Sequence, residues 1–143
     1  MKDLDLAKNV LCGENLTLVV VKNGKVLFRT DSHSISSFLG AISKLGAKLE
    51  DASVADRIAG KAIALLCVYK GVSEVYAEVL SRKAKALFEE YEIPCECKIL
   101  VDNILNLNRS DICPFEKAAA DISDPQKAFV VFKEVLQSFK DCK

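Results

Sequence analysis

The feature that most constrains this chain is residues 53–81, an apolar segment, a glycine and then a β-branched alternating run. Ala55, Ile58, Ala59, Ala62, Ile63 and Leu66 recur at helical spacing on one face, which predicts a helix. Ser53 is placed as its N-cap, and Asp56 three residues on completes a weak capping box. Residues 62–68 hold no charge, so the second half of this helix should be covered on more than one side. Gly71 ends it. From 72 to 80, Val75, Ala77 and Val79 alternate with Glu74, Tyr76 and Glu78, the pattern of a strand.

The flanking segments read as follows. Residues 3–12 form a first helix with Leu4, Ala7 and Leu11 on one side, and Gly13 stops it. Residues 16–21 are almost wholly apolar and predict a strand buried on both faces. Asn23-Gly24 then turns the chain into a hairpin whose return strand, 25–29, points Val26 and Phe28 inward. His33, the single histidine, falls in a polar loop at 31–34, where solvation is the plain reading and acid–base work would need a cleft. Ile35, Phe38, Leu39, Ile42 and Leu45 mark a second helix closed by Gly46.

Downstream of the central strand, Ser81 is an N-cap for a helix with Ala84, Leu87, Phe88 and Tyr91 on one face, ended by Pro94. Cys95, Cys97, Ile99 and Val101 alternate along another strand, with the two cysteines on its core face. Residues 102–111 are a polar connection. Cys113-Pro114-Phe115-Glu116 opens a short helix, and Asp124-Pro125 opens the last, lined by Phe129, Phe132, Leu136 and Phe139. Two strands flanking one helix should run parallel. Joined to the hairpin, they predict an α/β domain in three α/β/α layers around a mixed sheet of about four strands.

The chain has 143 residues, which suits a single domain over 1–143, and half of them are hydrophobic, enough for a full core. Twenty basic and twenty acidic residues leave no net charge, which argues against a general nucleic-acid or anionic-membrane binder. The charged opening, Met1-Lys2-Asp3, does not read as a secretory leader, and no apolar run is long enough to span a bilayer. The six cysteines therefore read as reduced thiols in a cytoplasmic protein, mostly packed as small hydrophobes.

This element order resembles the cytidine deaminase-like fold, which opens with a helix and a hairpin and has its first strand antiparallel to the others. Residues 53–81, with Cys113-Pro114-Phe115-Glu116 downstream, also look like a small uncharacterised bacterial family assigned to that fold. The resemblance implies that a zinc deaminase would carry His (or Cys)-x-Glu at the helix after the hairpin. It would carry Pro-Cys-x-x-Cys at the helix after the next strand. Aligned on the predicted helices, those positions read Val54-Ala55-Asp56 and Leu80-Ser81-Arg82-Lys83-Ala84. Val54, Ser81 and Ala84 cannot ligate zinc, so no metal, no cofactor and no zinc-dependent deamination are expected.

Two helix N-termini, at 53–57 and 81–83, are then expected to converge and favour an anion. The predicted function is metal-free binding of a small anionic or nucleotide-like ligand by Ser53, Arg57, Lys61, Glu78, Ser81 and Arg82, with Asp56 as the acidic group. Plain caps and a solvated basic face are the alternative reading of the same residues. Cys113 is the candidate nucleophile, because an N-cap sulfur meets free N–H groups that lower its pKa; an inert buried thiol is its alternative. A different class of function, a structural or interaction module with a decayed site that can form a homo-oligomer through the Phe-rich last helix, stands beside these.

Overall fold

The computed structural model describes residues 2–105 and 110–141. Helix α1 (Asp3–Gly13) leads into the hairpin β1 (Leu18–Lys22) and β2 (Lys25–Thr30). Helix α2 (Ser34–Leu45) and a 3₁₀ turn (Gly46–Leu49) follow, and then β3 (Ser53–Ala59), α3 (Lys61–Tyr69), β4 (Glu74–Ser81), α4 (Arg82–Glu90) and β5 (Cys95–Val101). Two helices close the chain, α5 (Pro114–Ala119) and α6 (Pro125–Asp141). Among the described residues the sheet has five strands in the order β2-β1-β3-β4-β5. β1 is antiparallel to both its neighbours, and β3, β4 and β5 are parallel.

The fifth strand corrects the sequence reading. Residues 53–59 are β3, not the first half of a helix, and the helix begins only after Gly60. Ser53, Val54, Ala55 and Asp56 are all buried, because β3 lies inside the sheet with helices on both faces. A strand covered on both sides loses its alternation, and the apolar spacing then runs unbroken across the strand–helix junction. The second half of the reading holds: residues 62–67 of α3 are buried all round.

Side chains alternate across the sheet. Val19, Val21, Ala55 and Tyr76 meet Leu4, Ala7 and Leu11 of α1 on one face. Val20, Val54, Val75 and Ala77 meet the larger cluster from α2 to α6 on the other, with Phe38, Phe88 and Phe132 fully buried. Phe132 therefore belongs to the core, and Phe129 stacks on Tyr69 with centroids 5.3 Å apart, so these rings of α6 serve packing. The turn at Asn23-Gly24 has both φ positive, 53° and 75°, as a two-residue hairpin requires. Asp3 seals it, accepting from both turn N–H groups at 2.9 Å.

Three further expectations change. Val20 pairs with Phe28 but Val21 with Val26, so Leu27 is an extra residue in a bulge. The bulge flips the phase, and Val26 packs toward α1 while Phe28 packs toward the larger cluster. Cys95 is half-buried but Cys97 is exposed, because β5 is an edge strand with little covering its outer half. His33 is not in a loop alone: it stands at the N-cap of α2.

Arg57 ties the smaller face together. Its Nε donates to the Leu16 carbonyl at 2.7 Å, one terminal nitrogen donates to the Leu11 carbonyl at 3.2 Å, and the other pairs with Glu78 on β4. Both side chains of the pair are more than two-thirds buried. Arg57→Ala should lower the unfolding free energy by roughly 2 kcal/mol, since it strands a shielded carboxylate and two carbonyls. Urea unfolding with an unchanged m-value would check this; a shift within the error of the midpoint would mean the network is inert.

Candidate functional site

The carboxyl ends of β3, β4 and β5 lie at one end of the sheet, and the helices that follow β3 and β4 start there. Open parallel sheets bind ligands in the crevice at this end. Here the crevice is a cavity of about 220 Å³ lined by Lys61, Lys83, Asp102, Asn103, Ile112, Glu116, Lys117 and Ala120. A second concavity of about 300 Å³, lined by Lys22, Asn23, Lys25, Leu27 and Lys48, lies by the hairpin turn at the opposite end. It is framed by the lysine stems of β1, β2 and the 3₁₀ turn, and Asp3 at the start of α1 already takes the turn N–H groups beside it.

Glu116 dominates the crevice. Its two carboxylate oxygens accept from the backbone N–H groups of Lys61 at 2.9 Å and Ala62 at 2.8 Å. Two of the free N–H groups at the start of α3 are thus capped by a side chain 55 residues away in sequence. The approach needs Gly60: a Cβ there would lie 2.2 Å from one carboxylate oxygen and 2.4 Å from the carboxyl carbon. Burial raises the Glu116 pKa, and the two N–H donors and the Lys83 and Lys61 charges oppose that rise without cancelling it. Lys61 also donates from Nζ to the Ala120 carbonyl at 3.2 Å, which closes the α3–α5 contact.

The other walls come from α4 and the segment after β5. Ser81 ends β4 and caps α4, its hydroxyl accepting from the Ala84 N–H at 3.1 Å. Arg82 pairs with Asp102 at 2.9 Å on the rim, and Lys117 pairs with Asp111. The pairing with Lys117 and the Ile112 N–H hold the Asp111 carboxyl below its usual value.

The predicted site residues divide. Lys61 lines the cavity, Ser81 is the expected cap, and Arg82 borders the rim. Ser53 does not converge with Ser81: it starts β3, pairs with Glu74 and donates to that carboxylate at 2.9 Å. The two serines sit at opposite ends of the parallel strands, roughly 20 Å apart along the sheet at about 3.3 Å per residue. Arg57 and Glu78 bind each other on the α1 face. Asp56 is fully buried in the middle of β3, where one oxygen accepts from the Ile58 N–H at 3.2 Å and its charge helps raise the Cys67 thiol. All four were misplaced for one reason, the reading of β3 as helix.

Cys113 does stand at the N-cap of α5, with Pro114 next, but it turns into the core and is 9% exposed. Burial pushes its pKa up; the N–H groups of Glu116 and Phe115 pull the other way and lose. The expected lowered pKa is thus reversed, because the thiol is desolvated in the larger core cluster. Glu116, in the first turn of α5, reaches across to α3 rather than back to its own helix. Lys83 falls in the 81–83 helix start read from the sequence; Lys117, Asp102 and Asn103 were not singled out, and for Asp102 and Asn103 the one signal was position just after β5.

The deaminase positions also move. In the structure the helix after the hairpin opens His33-Ser34-Ile35, and the helix after the next strand opens Ala59-Gly60-Lys61-Ala62-Ile63. A histidine stands at the first position, but Ile35 replaces the glutamate, and Gly60 and Ile63 replace the thiols. These residues do not fit a zinc centre. Among the described residues no group of three or more His, Cys, Asp or Glu could hold a metal ion.

The family model described as TM1506, a domain of unknown function (DUF1893), matches residues 6–136. The chain belongs to the DUF1893 family. A solved crystal structure of a DUF1893 family protein (TM1506) from Thermotoga maritima superposes with a TM-score of 0.84 at 24% identity, over 96% of this chain and 91% of that one. At that identity the likeness establishes the shared fold. No curated protein of assigned function matches the chain. Among the described residues of this DUF1893 chain, no helix is long and apolar enough to cross a membrane.

Two measurements follow. Glu116→Ala should destabilise the protein by about 1–2 kcal/mol through loss of an N-terminal cap, and Gly60→Ala by about 1–3 kcal/mol through overpacking. In the Glu116→Ala background the Gly60→Ala cost should largely vanish, and full additivity would refute the contact. The Glu116 carboxyl is raised above its ordinary 4.5, so it binds its proton more tightly when folded. Stability should therefore fall as pH rises from that ordinary value through the elevated folded one, and Glu116→Gln should remove this segment of the profile.

Thiol labelling of a Cys142→Ser chain, chosen because Cys142 lies outside the described residues, should modify the exposed Cys12 and Cys97 first. Cys95 should follow slowly, and Cys67 and Cys113 only on unfolding. Native-state labelling of Cys113 as fast as Cys97 would contradict its burial.

Proposed function

We propose that this protein is a metal-free binder of a small anionic ligand, held in the crevice at the carboxyl ends of β3, β4 and β5. The reading takes the chain as one domain of cytidine deaminase-like topology, supported by the opening helix and hairpin and by β1 running antiparallel to its neighbours. The observation that carries it is the cavity itself: three lysines, Lys61, Lys83 and Lys117, converge on about 220 Å³ against two carboxylates, Asp102 and Glu116. The volume lies below the 300–1,000 Å³ of pockets that enclose drug-sized ligands. It suits a phosphate group or a small carboxylic acid rather than an entire nucleotide.

The ligand is held by side chains. Glu116 already occupies the N–H groups that open α3, so an incoming anion meets Lys83, Lys61 and Lys117 and is kept off the helix end by the resident carboxylate. Asp102 and Asn103 offer acceptors and a donor for hydroxyl groups on the same ligand. The thiol of Cys113 faces the core and takes no part. Binding, not bond breaking, is what these groups do.

Isothermal titration with inorganic phosphate and with small hydroxy acids tests the proposal. Lys83→Ala should weaken the best of these by about tenfold, the loss of one charge-assisted hydrogen bond, whereas Lys22→Ala at the opposite concavity should change nothing. Equal loss in both variants, or no saturable binding of any small anion, would overturn it.

A further inference from the structure

The two edges of the sheet are unlike. The β2 edge is interrupted by the bulge at Leu27, a device that deters pairing with another chain. The β5 edge is a regular seven-residue strand, exposed from Glu96 to Ile99, with Ile99 53% exposed. The Pro94 carbonyl accepts from the Val75 N–H at 3.0 Å, which fixes the phase of β5. By alternation, Cys95, Cys97 and Ile99 direct their N–H and C=O groups away from β4, toward the open edge.

We propose that β5 is a self-association edge, on which a second copy of this chain adds its own β5 antiparallel about a two-fold axis through Cys97. Charge selects that register. Centred on Cys97, Glu96 of each copy stands opposite Lys98 of the other, and Cys95 stands opposite Ile99, so the apolar residues meet on one face and the opposite charges on the other. A shift of the axis by one residue sets Lys98 against Lys98, or Glu96 against Glu96. Lys98 on an edge strand ordinarily repels a neighbour; only the Cys97-centred pairing neutralises it. The outward N–H and C=O groups fall opposite one another in this register, as an antiparallel ladder needs. Glu96, already paired with Lys8 at 2.8 Å, then sits between its own Lys8 and Lys98 of the second copy. The contact is isologous and closes at two chains, because each copy contributes the same strand.

Sedimentation of the full chain across a wide concentration range reads the assembly. The wild type should show a reversible monomer–dimer equilibrium. Lys98→Glu, an exposed substitution that leaves the fold intact by circular dichroism, should weaken it about tenfold or more, because it sets two pairs of like charges opposite each other. The combined swap Glu96→Lys with Lys98→Glu recreates opposite charges across the axis and should return the dimer to near its original strength. A strict monomer, a dimer indifferent to Lys98→Glu, or a double swap that stays dissociated would each overturn the proposal. None of these outcomes depends on ligand in the crevice.

Discussion

The structure depends on one carboxylate meeting one helix end. Helix α3 is apolar on every side and buried from Ala62 to Cys67, so water cannot solvate its start freely. Its first N–H groups therefore need an internal acceptor, and Glu116 supplies both oxygens. Everything around the crevice follows. Gly60 must lack a side chain, α5 must lie across the β3–α3 junction, and Lys61 must turn outward to the Ala120 carbonyl. Removal of the carboxylate would leave buried donors without acceptors, which costs more than the bond itself contributes.

The same contact decides what the crevice can hold. A helix end that still had free N–H groups would bind an anion directly, as phosphate-binding loops do. Here that position is taken by the protein's own anion, whose charge Lys61 and Lys83 partly offset. What the crevice presents is therefore the lysine side chains and the Asp102–Asn103 corner. The chemistry available there is recognition by charge and hydrogen bonds.

Much of the fold was legible because it is local. The two-sided burial of β1, the Asn23-Gly24 turn, the Ser81 cap and the parallel β4-α4-β5 unit each follow from neighbours in sequence. The failures share a physical origin too. Between Ser53 and Ala59 burial on both faces erased the alternation, and Gly60, inside the run of helical spacing, marks the strand–helix junction. That error carried Ser53, Asp56, Arg57 and Glu78 into a site they do not form. The Glu116–α3 contact was invisible for another reason: it is set by a partner 55 residues away in the chain, which spacing does not encode.

The two ends of the sheet satisfy their polar groups differently. At the amino ends of β3 and β4, the Ser53 hydroxyl donates to Glu74, and the Ser73 hydroxyl and N–H both meet the Ala52 carbonyl. Those polar groups satisfy one another across the two parallel strands. At the carboxyl ends β3 and β4 pass directly into helices, and the start of α3 is satisfied by Glu116, 55 residues further along the chain. The lysine-lined cavity lies where α4, α5 and the segment after β5 meet that junction. The crevice is thus a consequence of topology before it is a feature of particular side chains, and the side chains that line it decide only the sign of what it attracts.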